Sequence, residues 1–312
     1  MTPPYSYATL QIIIFWSILA MVTIEFALGL IFRLRLYSLG ETAASAFMLI
    51  PQKLLRMLSL YISLPIATFC YQFRLFEMDV AHLLYWPALF LGVEFLYYWN
   101  HRLSHEVRWL WATHAVHHSS PQLNVLASLR VGSTSVISGN FLFFLPLSIL
   151  GFEPVSISIM FGFNLLYQAW LHTELVGRLG WLDAVFNTPA NHRVHHSCAA
   201  RNLDRNFGGT VILFDRLFGT YQAEVERRRD YGIVGELPSV NPLVIILRPW
   251  RLMLQEARRG DWQHAVKTLF GRSVRCDLVA DAQRIDGRAN EHGDEQVDIA
   301  SERRLSLAAS AP

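Results

Sequence analysis

Charge is what this sequence has least of. Asp, Glu, Lys and Arg make up 17% of its 312 residues, against roughly a quarter in an ordinary soluble domain. Lysine is nearly missing, with Lys53 and Lys267 standing alone among basic residues that are otherwise all Arg. A formal net charge of +2 excludes the basic surface that nucleic acid demands. The arginines sit near the ends of apolar runs rather than in a stripe, which suits a membrane surface. Cysteine is as sparse: Cys70, Cys198 and Cys276 lie far apart with no CxxC pair. That excludes a disulfide framework and a thiolate metal site, so any metal must be held by nitrogen or oxygen. No repeat of solenoid period is visible.

What the chain has instead is hydrocarbon: 52% of its residues are hydrophobic, and the first reading is an integral membrane protein. Crossing a bilayer takes roughly 20 apolar residues per helix. The stretch from Ala8 to Phe32 meets that with Glu25 as its only charge. It is too long for a signal peptide and lacks a basic start and a small-residue cleavage site, so it reads as a retained helix. Apolar runs recur at Leu58 to Phe73, Ala81 to Trp99, Ser135 to Leu150 and Val155 to Leu171. The last two are joined by "GFEP" and are expected to form one helical hairpin. Five crossings satisfy this pattern, the shortest runs being alternatively re-entrant.

Arg33, Arg35, Lys53, Arg56, Arg102, Arg108, Arg130, Arg178, Arg193, Arg201 and Arg205 then fall on one face, which the positive-inside rule makes the cytoplasm. After Tyr221 the sequence turns polar. "EVERRRD" reads as a solvated charge run, residues 241–270 as an interfacial amphipathic helix with Trp250 and Trp262, and the tail from about Arg275 as disordered. The expected organisation is N-terminal transmembrane helices over 1–80, a central domain over 81–224, an interfacial segment over 225–274 and a polar tail over 275–312.

Against this apolar background the histidines are concentrated. Nine of the twelve fall between His101 and His196. "HRLSH" gives His101 and His105, "HAVHH" gives His114, His117 and His118, His172 stands alone, and "HRVHH" gives His192, His195 and His196. Positions i, i+3 and i+4 share one helix face, so each motif aims two or three imidazoles at a common point. Neutral imidazole is the commonest metal ligand and suits Fe, Zn, Cu and Ni. A single histidine at a membrane interface more often caps a helix or meets a headgroup, and His82, His264 and His292 are read that way. Nine together exceed one tetrahedral site and fit two metals with positions left open.

The order HxxxH, HxxHH, a later His and a second HxxHH, on cytosolic ends of a membrane bundle, resembles the fatty acid hydroxylase and sterol desaturase superfamily. Within it, "FLYYWNHRLSHEVRWLWATHAVHHSS", "YQAWLHTEL", "NTPANHRVHH" and "NFGGTVILFDRLFGTY" are most similar to the alkylglycerol monooxygenase branch and related bacterial lipid hydroxylases, over about Leu83 to Asn241. The resemblance implies an all-α integral membrane protein: a bundle of about four to five transmembrane helices with a cytosolic helical cap holding an all-histidine dimetal site. It further implies two irons per chain, O₂ as co-substrate, and His101, His105, His114, His117, His118, His172, His192, His195 and His196 as ligands. Some members place another His four residues before the one matching His172; this chain has Gln168 there.

Further residues carry weaker signals. Asn191, Asp204 and Asn206 read either as partners of imidazole N–H groups or as caps and Asx turns. Glu94, two helical turns before His101 in an apolar run, reads either as functional or as the partner of an Arg. Arg216 is expected to pair with Asp215. Cleaving an unactivated C–H bond exceeds any acid or base among the side chains and needs a redox metal that activates O₂. The expected activity is therefore hydroxylation of a membrane lipid, with desaturation or demethylation of a sterol-like lipid as the rival within the same chemistry. No haem or flavin fingerprint is visible, so the reductant is expected from a separate protein or a small molecule, a tetrahydropterin if the alkylglycerol resemblance is close. A zinc hydrolase would want HExxH, and Arg102 stands where its Glu would be. A metal carrier would hold its ligands at the bilayer midplane. The Arg-rich composition points to a bacterial inner membrane.

Overall fold

A computed structural model describes residues 7–131, 134–227 and 229–272; the expected polar tail, with Cys276 and His292, lies outside the described residues. Everything regular among them is helical. In chain order come α1 (Tyr7–Ile31), α2 (Leu39–Tyr71), α3 (Tyr85–Glu106), α4 (Arg108–His118), α5 (Ser135–Ser138), α6 (Leu145–Leu150) and α7 (Pro154–Leu171). They are followed by α8 (Leu182–Val185), α9 (Pro189–His196), α10 (Leu213–Leu217), α11 (Pro242–Ala257) and α12 (Trp262–Phe270). β structure is confined to isolated bridges such as Val107 with Arg272.

Two helices, at Ile12–Ile31 and Leu39–Tyr71, are long and apolar enough to cross a membrane. Their outer faces leave Phe15, Trp16, Ile31, Tyr61 and Phe69 more than half exposed, a density of bare apolar surface that suits lipid rather than water. With 33 residues, α2 is about 50 Å long at 1.5 Å per residue, more than a hydrocarbon core needs. Its N-terminal third is packed rather than bare: Ala44 and Met48 bury against Val116 of α4 and Ile245 and Ile246 of α11. Lys53 thus lies within the helix, not in a loop.

The Ser135 to Leu150 run is not one helix. It breaks into α5, a 3₁₀ turn over Asn140–Phe144 and α6, because Gly139 takes a left-handed φ of 76° and ends α5 after four residues. The turn into α7 does form, around Gly151 at φ 119°, where a Cβ would meet the Phe76 carbonyl oxygen at 2.1 Å. Only glycine tolerates both constraints. Tyr85, Leu89 and Val93 of α3 bury against Leu147, Phe152 and Ile157, which fixes α3 beside α7. At Val107 (φ −98°, ψ 124°) the chain leaves the helix for one extended residue and re-enters as α4, so α4 folds back over the end of α3.

The C-terminal helices close that end. Trp250 of α11 is buried against Ala112 and Trp109 of α4, its indole N–H donating to Thr134 Oγ1 at 3.0 Å. It is core rather than interface, whereas Trp262 is exposed. Two of the arginines assigned to the cytoplasmic face are also interior. Arg130 is fully buried, paired with Glu41 at 2.5 Å and donating to Ser45 at 2.9 Å. Arg193 is paired with Glu224 at 2.7 Å.

Candidate metal centre

The end of α3, the whole of α4, the residue after α7 and α9 meet at one end of the bundle, and each brings histidines. His101 and His105 are one turn apart on α3; His114, His117 and His118 lie on the last turns of α4; His172 caps α7. His192, His195 and His196 come from α9, which starts at Thr188, whose hydroxyl accepts from the Asn191 N–H, with Pro189 suited to the first helical position. The structure brings all nine together as two groups: His101, His105, His114, His118 and His195, and His117, His172, His192 and His196. Within each group the ligand atoms lie within 4.8 Å of one another. The groups adjoin, the His118 and His196 rings stacking at 4.4 Å.

The hydrogen bonds fix which nitrogen points inward. His101, His172 and His195 donate through Nδ1–H to the carbonyls of Phe207 (2.8 Å), Gln168 (2.9 Å) and Arg205 (2.9 Å). His105 Nδ1 meets the Asp204 carboxylate at 3.1 Å. A neutral ring carrying its proton on Nδ1 presents a lone pair at Nε2. The neighbouring ring nitrogens crowd the same points: His101 Nε2 lies 3.1 Å from His114 Nε2, which lies 3.1 Å from His118 Nε2. In the second group His172 Nε2 is 3.2 Å from His117 Nε2 and 3.0 Å from His192 Nε2, and His196 Nε2 is 3.1 Å from His192 Nε2.

Lone pairs facing one another at such distances repel unless a proton or a cation stands between them. Burial disfavours the proton. His117 is pushed down to about 4 by burial, and His118, His172, His192 and His196 are pushed well below the ordinary imidazole value by burial and then by neighbouring rings. A metal cation fits what a proton does not. Nitrogens sharing an ion at roughly 2.1 Å are about 3.0 Å apart at right angles and about 3.4 Å apart in a tetrahedron. The observed separations favour the former, and five ligands exceed a tetrahedron.

Of the three residues expected to orient imidazoles, Asp204 does so. Asn191 donates to the carbonyls of Asp183 (2.9 Å) and Phe186 (3.1 Å), and Asn206 to those of Asn191 (2.9 Å) and Gln222 (2.8 Å). They hold the loops behind α9 without touching a ring. Arg216 does not pair with Asp215; it donates to the Ala184 carbonyl and lies over the Tyr221 ring. Asp215 instead accepts from the N–H groups of Phe207 and Gly208, both at 2.7 Å, anchoring the loop whose Phe207 carbonyl holds His101. Glu94 has no Arg partner among the described residues. It accepts from Asn164 Nδ2 (2.6 Å) and the N–H groups of Thr210 (2.8 Å) and Val211 (3.0 Å). Arg102 bonds Glu106 at 2.8 Å and Tyr98 at 3.1 Å, so the carboxylate after HRLSH is tied up away from the histidines.

The geometry also enlists residues that the spacing passed over. Glu25, inside α1, accepts from Tyr37 and Thr173 at 2.5 Å each and from the Val125 N–H at 2.8 Å, binding the first helix to the residue beside His172. Its isolation in an apolar run was the available signal. Arg193, the second letter of HRVHH, grips the carbonyls of Thr173 and Val176; nothing in its spacing marked it.

Comparison with known proteins supplies the family. The fatty acid hydroxylase family matches residues 86–220, the stretch containing all nine histidines. Those residues carry the chain's likeness to that family. Among curated relatives, alkylglycerol monooxygenase of Homo sapiens is 39% identical over 174 residues, 55% of this chain and 38% of the relative. The Danio rerio alkylglycerol monooxygenase is 45% identical over 142 residues, 46% and 31% of the two chains. Ornithine lipid hydroxylase OlsE of Rhizobium tropici is 34% identical over 160 residues, 49% and 48%. The chain thus spans less than half the length of each of these relatives. No solved structure matches it. The Gln168 side chain does not bond to a histidine ring. Its side chain accepts from Tyr97 at 2.7 Å and donates to Asn164 at 2.6 Å.

Proposed function

We propose that this protein is an O₂-dependent, non-haem di-iron lipid monooxygenase that hydroxylates a C–H bond of a membrane lipid carrying an alkyl or acyl chain. The observation that carries the reading is the pair of adjoining imidazole groups whose ligand nitrogens lie within 4.8 Å of one another. Two irons held there would supply the electrons that split O₂, chemistry no side chain offers. The named relatives, a monooxygenase and a hydroxylase acting on lipids, support the reaction class.

The chain's own residues do the rest. His101, His105, His114, His118 and His195 would hold one iron, and His117, His172, His192 and His196 the other. Asp204 and the carbonyls of Phe207, Gln168 and Arg205 keep the proton of His105, His101, His172 and His195 on Nδ1, so these four rings arrive with their lone pairs aimed. The apolar faces of α1 and α2 support a centre at a membrane boundary. Four or five crossings, with the histidines facing the cytoplasm of a bacterial inner membrane, fit that placement, and a separate reductase or a tetrahydropterin delivers the electrons.

The test is iron content of detergent-purified protein beside a variant with His117→Ala and His118→Ala, which removes one ligand from each group. About two irons per chain, largely lost in the variant, are expected, followed by O₂-dependent conversion of an alkylglycerol. Zinc alone in protein from iron-replete cells, or metal indifferent to the double change, refutes the reading.

A further inference from the structure

Beside α7 runs a cavity of about 470 Å³. Its walls are Ser17 and Met21 of α1, Phe90 of α3, and Met160, Phe163 and Trp170 of α7, and its polar residues include Glu94, Asn164 and Thr210. None of the nine histidines lines it. Lengthwise it follows α7 from Met160 to Trp170, ten residues and so about 15 Å. The upper limit, Trp170, is two residues from His172. Phe163 both lines the cavity and is 49% exposed, so the cavity opens sideways on the flank where α1 shows its bare apolar face.

The polar side is closed rather than receptive. Glu94 accepts three donors, and Asn164, Gln168 and Tyr97 continue as a chain of hydrogen bonds at 2.6 to 2.7 Å. That chain ends where the Tyr97 ring meets His101 at 5.4 Å. Gly209 lets the wall close: a Cβ there would meet Asn164 Nδ2 at 2.2 Å. A wall whose polar atoms already serve one another offers little to a charged headgroup, while the remaining lining offers apolar contact.

We infer that this slot takes the alkyl chain of one membrane lipid, admitted sideways from the bilayer between α1 and α7. Buried apolar area supplies the affinity at about 25 cal/mol per Å². At roughly 30 Å³ per methylene, near the share of a water molecule, the volume holds about 15 carbons. The bonded wall of Glu94, Asn164, Gln168 and Tyr97 sets the chain's position relative to the histidine end. This inference rests on the lipid reading above, and it makes Met21, Phe90 and Phe163 the residues that set chain length.

The experiment is binding of 1-O-hexadecylglycerol and 1-O-octylglycerol to the full chain in amphipol, counted by native mass spectrometry, with iron measured on the same samples. The protein should bind the hexadecyl compound at one per chain and at least tenfold more tightly than the octyl. Filling the slot with Ser17→Phe and Met21→Phe should weaken the hexadecyl compound at least tenfold and the octyl far less, with iron content unchanged. Should that variant fail to fold, Phe90→Ala enlarges the slot and should move the preference toward chains of 18 or 20 carbons. Hexadecyl binding that neither change alters overturns the slot while leaving the oxygenase reading intact. Length-selective binding in a protein that takes up no iron keeps the slot and refutes the oxygenase.

Discussion

Removing Glu224 tests whether the interior charges behind the histidines are as dry as they look. Arg193 and Glu224 meet through two parallel bonds of 2.7 and 2.8 Å, with side chains 1% and 6% exposed. Glu224→Ala strands a guanidinium with no water to replace its partner, a loss of about 3 to 5 kcal/mol. At roughly 2 to 4 °C per kcal/mol for a domain of this size, the apparent melting temperature in detergent should fall by about 10 °C. Arg193→Met with Glu224→Leu removes both charges and should recover part of that. Recovery stays incomplete because the carbonyls of Thr173 and Val176 lose their donor, at about 1 to 3 kcal/mol each. Calorimetry on both variants gives the comparison, and iron should fall with stability because Arg193 stands between His192 and His195. A fall under 2 °C for Glu224→Ala would refute the desolvated pair.

Three further outcomes are expected. Asp204→Asn removes the carboxylate that orients His105 and should weaken iron binding about 10- to 100-fold in a competitive chelator titration with the fold intact. In metal-stripped protein the buried rings link stability to pH. His117, lowered from 6.5 to about 4, stays neutral when folded but takes a proton when unfolded, so its contribution is present above pH 6.5 and is lost as pH falls toward 4. Melting temperature should be level between pH 7 and 8 and drop below 6.5, at up to about 1.4 kcal/mol per pH unit per ring; His117→Ala should flatten the drop. Gly209→Ala forces Asn164 off Glu94 and should cost about 1 to 3 kcal/mol by denaturant titration, with Ala at the unconfined Gly177 as the control.

The histidines were legible because their signal is local: HxxxH and HxxHH share a helix face whatever the tertiary structure. Asp204, close in sequence to the last motif, was legible for a related reason. What holds these residues in place was not, since the partners are remote. Glu25 meets Thr173 across 148 positions, Arg130 meets Glu41 across 89, and Glu94 meets Val211 across 117; no periodicity carries such pairings. The same limit explains the arginines. A charge count treats each as facing water, but Arg130 and Arg193 turn inward because a glutamate and several carbonyls await them. Ser135 to Leu150 misled in the opposite way: its hydropathy suits a crossing, while Gly139 and Pro146 leave the backbone free to break. Trp250 looked interfacial only because the face of α4 it covers cannot be seen from α11.

The fold-back at Val107 gives the two imidazole groups different histories. Four of the five rings in the first group come from His101 to His118, a stretch of one helix pair that closes over 18 residues at little entropic cost. The second group draws His117 from that pair but takes His172, His192 and His196 from segments more than 50 residues further on. The first can therefore assemble while the chain is still being synthesised, and the second only after α7 and α9 have docked. Maturation of the centre becomes sequential, and damage should run in reverse: a strain that lifts α9 dismantles the second group while most of the first endures.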